Sequence, residues 1–161
     1  MIFLIFYISL LTDVNSEVLI SVGKAAYQSS DYLDYTANYA VDGNTGVDLE
    51  LNKCSHTLAE NNSYWMIDLK QEYSLTMIAI YNRYDAMSER IVGARVEGYT
   101  PNAKKWNTCG LITSSQVVSF LWCGGLTANK VRVRHERKEY MTLCEVQVFS
   151  KKVQLESFDG F

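Results

Sequence analysis

The chain has 161 residues, enough for one domain of ordinary size. Hydrophobic residues make up 48% and charged residues 20%, so it can bury a real core and is not a disordered tail. A net charge of −3, with no long Lys or Arg run, argues against electrostatic binding of nucleic acid.

Ile2 to Leu11 is a run of ten apolar or near-apolar residues followed at once by Thr12, Asp13, Asn15, Ser16 and Glu17. A membrane-spanning helix needs about 20 apolar residues, so no transmembrane segment is predicted here. The pattern predicts a secretory signal peptide over 1–16, with cleavage near Ser16–Glu17. Export fits the four cysteines, Cys54, Cys109, Cys123 and Cys144, which allow two disulfides in three connectivities. Cys109 and Cys123 flank an alternating run and suit a local hairpin staple, which would leave Cys54 for Cys144. A zinc site is the weaker alternative, because there is no CxxC and the histidines are only His56 and His135.

Beyond Glu17 the pattern is one of short strands. Ser63–Leu69 places Trp65, Ile67 and Leu69 on one face. Ser74–Tyr81 is apolar on both faces and reads as a central strand. Ile91–Tyr99, Gln116–Trp122, Lys130–His135 and Glu145–Phe149 follow. In Lys130–His135, Val131 and Val133 point inward and Arg132 and Arg134 outward, with His135 an ordinary edge residue. Ser29–Asn62 is a long polar loop with a turn at Asp42-Gly43-Asn44 and a trace of helix over Thr36–Val41. Pro101–Thr108 is a second loop. Short strands between turn-rich stretches indicate an all-β sandwich or barrel. Lys151–Phe161 is an unpatterned, flexible C-terminal tail. Asn61-Asn62-Ser63 is a glycosylation sequon at Asn61, in keeping with a secreted surface loop.

Three constellations carry chemistry. Arg83, Asp85 and Arg90 lie just past the central strand, where a carboxylate two residues on can fix one guanidinium. Such a fan of donors suits a sugar's hydroxyls or an anion; the plainer reading is a surface ion-pair cluster. His56 follows Cys54 by two residues, and neutral imidazole can donate from one nitrogen and accept at the other. Asp42, Asn44 and Glu145 form a hard-oxygen set suited to calcium if the late strand meets the early loop. No HExxH, GxSxG or phosphate-binding glycine loop is present, so no enzyme is predicted.

The run VGKAAYQSS…ANYAVDGNTG…CSHT…ENNSYWMIDL…IAIYNRYDAMSER…LCEVQVF resembles the F-type lectins, over about residues 18–150. The family motif is His, 26 residues, Arg-x-Asp, four residues, then Arg or Lys. His56, Arg83, Asp85 and Arg90 match it at every position. The resemblance implies a discoidin-like (galactose-binding-domain-like) jelly-roll β-sandwich over 17–150. It implies that His56, Arg83 and Arg90 hydrogen-bond the ring oxygen and the 3- and 4-hydroxyls of α-L-fucose, with Asp85 orienting the arginines. It further implies disulfides Cys54–Cys144 and Cys109–Cys123, and a structural Ca2+ held by Asp42, Asn44 and Glu145 with carbonyls of Tyr39, Lys53 and Cys144. Two departures stand out. Ala86 and Met87 replace a vicinal cysteine pair, with Met87 a soft apolar platform in its place. Lys53 replaces a serine of the calcium shell and brings a positive charge.

The expected partners are fucosylated glycans, and a homo-oligomer would add avidity to a weak single site. The rival reading is the same sandwich as an adhesion or membrane-surface module, with Tyr32, Leu33 and Tyr35 as loop spikes instead of rim contacts for a glycan. A glycosidase would need paired catalytic carboxylates, and Asp85 beside two arginines is too acidic to serve as one.

Overall fold

A computed structural model describes residues 16–151. The leader over 1–16, save its last residue, and the tail beyond Lys151 lie outside the described residues. The strands are β1 Glu17–Leu19, β2 Ala25–Gln28, β3 Ser55–His56, β4 Glu60–Asn61, β5 Tyr64–Asn82, β6 Arg95–Thr100, β7 Lys105–Leu111, β8 Val118–Arg134, β9 Lys138–Glu139 and β10 Thr142–Lys151. One α-helical turn, α1, spans Leu49–Asn52, and 3-10 turns occupy Ala37–Ala40 and Ser88–Ile91. No helix among the described residues is long and apolar enough to cross a membrane.

The hydrogen-bonded order is β1-β10-β5-β8-β6-β7, with β2 added to β5 and β3 to β10; β4 and β9 form a separate ribbon. All pairings are antiparallel. Two long strands build both leaves of the sandwich. The first part of β5 (64–68) pairs with β2 and with 130–134 of β8, which in turn pairs with β6. The second part (75–82) pairs with β10 and with the start of β8. Strands that change sheet do so at bulges, and the β5–β8 register shifts between Asp68 and Tyr73 and again between Leu75 and Met77.

The two strands expected at Ser63–Leu69 and Ser74–Tyr81 are therefore one 19-residue strand. Its buried positions change parity, from Trp65, Ile67, Leu69 and Leu75 to Ile78 and Ile80, because the second bulge turns the strand over. Gln116–Trp122 and Lys130–His135 likewise fuse into β8. Val131 and Val133 are buried in it as expected, while the outward Arg132 and Arg134 converge on Glu97 at 2.6 and 3.0 Å. Ile91 belongs to a 3-10 turn, and strand β6 begins only at Arg95.

The loop expected over Pro101–Thr108 is only a tight turn, since β7 starts at Lys105. Trp106 on β7 lies against Arg132, whose guanidinium sits 4.0 Å from the ring centre, and against Tyr99. That cross-strand packing recruits a polar stretch into the sheet.

The core joins Trp65, Ile67, Leu69, Ile78, Ile80, Val131, Val133, Val146 and Val148. Trp65 also anchors the 3-10 turn, its indole N–H donating to the Ala37 carbonyl at 2.9 Å. A second, smaller cluster of Tyr35, Leu49, Cys54 and Cys144, with Tyr81 against it, supports the loops at one end. Both disulfides are Cys54–Cys144 and Cys109–Cys123. The first closes a separation of 90 residues, which in the chain-entropy picture stabilises by about 4–5 kcal/mol. The second is not a hairpin staple: β7 pairs with β6, and the bond ties it to β8 without a shared ladder. His135 is no edge residue. It is fully buried, neither ring nitrogen has a hydrogen-bond partner among the described residues, and burial pushes its pKa down to about 4.

A candidate carbohydrate-binding basin

The Cys54–Cys144 cluster holds the ends of several loops together. Three of the expected side chains, His56, Arg83 and Arg90, line one cavity of about 400 Å³, with Tyr32, Met87 and Tyr140 in its wall. A more open groove of about 520 Å³ runs along β2 past Asn38 and Asp42. Lys24 is the only cation lining it, so the smaller cavity carries the chemistry.

His56 sits on β3 and is 3% exposed, not a surface-loop histidine. Strand pairing with Thr142 and the adjacent disulfide fix its backbone. Tyr32 and Tyr140 flank the ring at centroid distances of 4.9 and 5.4 Å. Nδ1 lies 2.7 Å from the Thr57 carbonyl, an arrangement that needs N–H at that atom and leaves Nε2 as an acceptor. Burial lowers the His56 pKa from 6.5, and Arg83 and Arg90 push the same way, so the ring is neutral at physiological pH.

Arg83 is gripped by Asp85: Nε donates to both carboxylate oxygens at 3.0 and 3.1 Å, and Nη2 donates to Oδ2 at 2.7 Å. Asp85 also accepts the Leu49 amide at 3.2 Å, which ties α1 to the arginine. The Arg83 hydrogen bonds hold the Asp85 carboxyl below the usual carboxylate range. The Arg83 side chain is only 16% exposed, more enclosed than a free surface arginine. A guanidinium has five N–H donors; the fork to Asp85 leaves the rest for a ligand. Arg90 has no acidic partner among the described residues, and its guanidinium lies 4.4 Å from the centre of the Tyr140 ring.

The segment between these arginines is sutured by Asn82 Nδ2 to the Ser88 carbonyl (2.9 Å) and by the Tyr84 amide to Val47 (2.8 Å). Met87 in its middle is 52% exposed and left-handed, at φ 54° and ψ 33°. That conformation costs an L-residue about 1–2 kcal/mol. Met87→Gly is expected to raise stability by about 0.5–1 kcal/mol after glycine's own entropy is counted. Calorimetric unfolding checks this; an unchanged or lower midpoint contradicts it.

At the expected metal set, Glu145 is fully buried and neither carboxylate oxygen has a hydrogen-bond partner among the described residues. Burial above all, helped by the charge of nearby Asp42, pushes its pKa up to about 7 against the opposing pull of the Gly43 and Asp42 amides. Asp42 Oδ1 accepts the Asn44 amide at 2.8 Å, and the Asn44 side chain bonds Gly46 and the Asn52 carbonyl. Lys53 holds φ 58° and ψ 121°, a strained conformation for a residue with a Cβ. The β10–β5 register slips between Leu143 and Glu145, which takes Cys144 out of the ladder. Among the described residues no three His, Cys, Asp or Glu side chains converge on one point, so any ion here would depend on amide and carbonyl oxygens beside the two carboxylates. Asn61 is exposed on β4.

Two wall residues escaped sequence reasoning. Tyr140 is brought in by the Thr142–His56 pairing, four residues before Cys144. Glu50 lines the cavity from α1. Tyr35 is not a loop spike: it is 5% exposed, and its hydroxyl donates to Glu50 Oε1 at 2.8 Å. Leu33, at 74%, is the most exposed of the three, and Tyr32 is exposed as well.

A family model described as a NedA-like, galactose-binding domain of the F5/F8 type C group matches residues 39–133. Fucolectin-6 of Anguilla japonica is 35% identical over 115 residues, which cover 70% of this chain and 62% of that protein. The chain thus spans somewhat under two thirds of the length of that curated relative. A Streptococcus pneumoniae fucose binding module, SpX-3, superposes with a TM-score of 0.78 at 29% identity, covering 84% of this chain and 99% of the module. An F-lectin from Morone saxatilis (striped bass) serum gives 0.77 at 29%, covering 84% of this chain and 48% of that one. These relatives are named as lectins and binding modules. The chain belongs to the F5/F8 type C, NedA-like galactose-binding domain family and, within it, to the F-type lectins.

Proposed function

We propose that the chain is a secreted lectin domain that binds terminal α-L-fucose in the His56–Arg83–Arg90 basin. The observation that carries this reading is the convergence of the three side chains on one cavity, with Arg83 locked by Asp85 and His56 held neutral. A neutral, acceptor-rich sugar suits that chemistry. Arg83 and Arg90 donate to sugar oxygens, and His56 Nε2 accepts from a hydroxyl. Met87 and Tyr140 offer apolar surface to the sugar's C–H edges. An epimer at the recognised hydroxyl leaves donors unpaired, a cost of roughly 1–3 kcal/mol. Titration calorimetry of the full chain with methyl α-L-fucoside and the galactoside tests the reading. The fucoside is expected to bind more tightly, and no heat with either sugar contradicts it.

The depressed His56 pKa gives a second test. The acceptor nitrogen is lost only when the ring is protonated, and the midpoint of that step lies below 6.5. Fucoside affinity is expected to be highest near pH 8 and to fall as the ring protonates, with a midpoint below 6.5. A fall with its midpoint above 6.5 contradicts the role given to His56.

We also propose a structural calcium ion. The support is the unpartnered buried carboxylate of Glu145 beside Asp42, which needs positive charge nearby. Asp42, Asn44 and Glu145 would hold the ion with carbonyls of Tyr39, Lys53 and Cys144, an all-oxygen set of calcium type. The ion would supply charge compensation and tie the 39–53 loop to β10.

A further inference from the structure

Glu50 lies in none of the sequence motifs, yet it lines the same cavity as His56, Arg83 and Arg90. It is held from both ends. Its amide and that of Leu51 are capped by Asp48 Oδ1, each at 3.0 Å. Its Oε1 accepts from the hydroxyl of buried Tyr35 at 2.8 Å. That hydroxyl stays a donor, because the bond to Glu50 pushes its pKa up to about 12. The second carboxylate oxygen has no partner among the described residues.

The charges in the basin explain why a carboxylate matters there. Asp85 neutralises Arg83 through a bidentate fork, and His56 is uncharged. Arg90 is left over, stacked on Tyr140 with no acidic partner among the described residues. Without Glu50 the cavity lining would carry one net positive charge and would attract any anion of suitable size. With Glu50 the lining is neutral overall, and an anion entering it meets a fixed negative charge. Lys53, over the Tyr35 ring, and Asp48 stand behind the lining with opposite charges.

We propose that Glu50 is a specificity-determining residue that makes the basin take neutral polyhydroxylated sugars and refuse anionic ones, such as sulfated or carboxylated residues. This deepens the fucose reading and rests on it for the identity of the neutral ligand. Rejection works as negative selection: it adds repulsion against the wrong ligand more than attraction to the right one.

The test is titration calorimetry on the full chain and on Glu50→Gln, which keeps an acceptor for Tyr35 and removes the charge. The probes are methyl α-L-fucoside, its 2-sulfate and inorganic sulfate. Glu50→Gln is expected to leave the neutral fucoside within about threefold and to strengthen the 2-sulfate by about tenfold, the size of one unit charge acting across a partly wet site. It is also expected to bind inorganic sulfate, and adding Arg90→Ala should remove that gain. An unchanged ratio of neutral to sulfated affinity overturns the proposal. If the native chain ignores the fucoside while Glu50→Gln still gains sulfate, the charge gate stands and the fucose reading falls.

Discussion

Arg83→Lys is expected to abolish retention on fucose-agarose while leaving both disulfides and the near-ultraviolet circular dichroism of the native fold. Arg83 is not a generic cation. Its Nε and Nη2 are committed to Asp85 within 3.1 Å, and Asp85 is itself tied to the Leu49 amide. The remaining N–H groups therefore face a ligand in one fixed plane, a fork that an ammonium cannot reproduce. Hydrogen bonds to charged groups are worth about 1.5–3 kcal/mol each, so losing the fork should weaken binding by about 100-fold. Arg83→Ala removes the same donors but also strands the Asp85 carboxylate. With the arginine side chain only 16% exposed, that variant should lose stability as well as binding. Lysine separates the two effects. Retained binding by Arg83→Lys contradicts the assignment of the basin.

The second large effect concerns Glu145. Calcium is expected to raise the thermal midpoint of chelator-treated protein by about 9 °C, the shift that follows from ligand at 100-fold its Kd in a domain of this size. Glu145→Gln is expected to remove that response. In the presence of chelator it should unfold at a higher temperature than the native chain, because a fully buried carboxylate with no partner is replaced by a neutral amide of the same shape. A native chain whose midpoint ignores both calcium and chelator contradicts the metal reading. A native chain that responds while Glu145→Gln responds equally moves the ion elsewhere.

The β character and the inward face of 130–134 were legible because alternation is a local signal. The continuity of β5 was not. The first bulge, near Lys70, interrupts the alternation, and the second, near Thr76, reverses which parity faces the core, so one strand reads as two. Strand β7 was hidden for a different reason. Lys104, Lys105 and Asn107 have a loop's composition, and what makes the segment a strand is Trp106 packing on Tyr99 and Arg132, one of them far along the chain.

In the site, the spacing of His56, Arg83, Asp85 and Arg90 survived translation into space because a 19-residue strand bridges His56 to the arginine loop. Glu50, Tyr140 and the buried state of Tyr35 were out of reach. Glu50 owes its place to a four-residue helix capped by Asp48, and Tyr140 to the pairing of β3 with β10. The burial of His135 was concealed by its position at the end of an alternating run, where Ser63 accepts its amide at 3.0 Å.

The central claim is that this basin selects fucose, and a glycan array probed with the full chain tests it most directly. The account predicts signal confined to neutral glycans with terminal α-L-fucose, lost with Arg83→Lys. Signal on glycans without fucose, or no glycan signal together with binding to anionic vesicles through the exposed Leu33 loop, contradicts it.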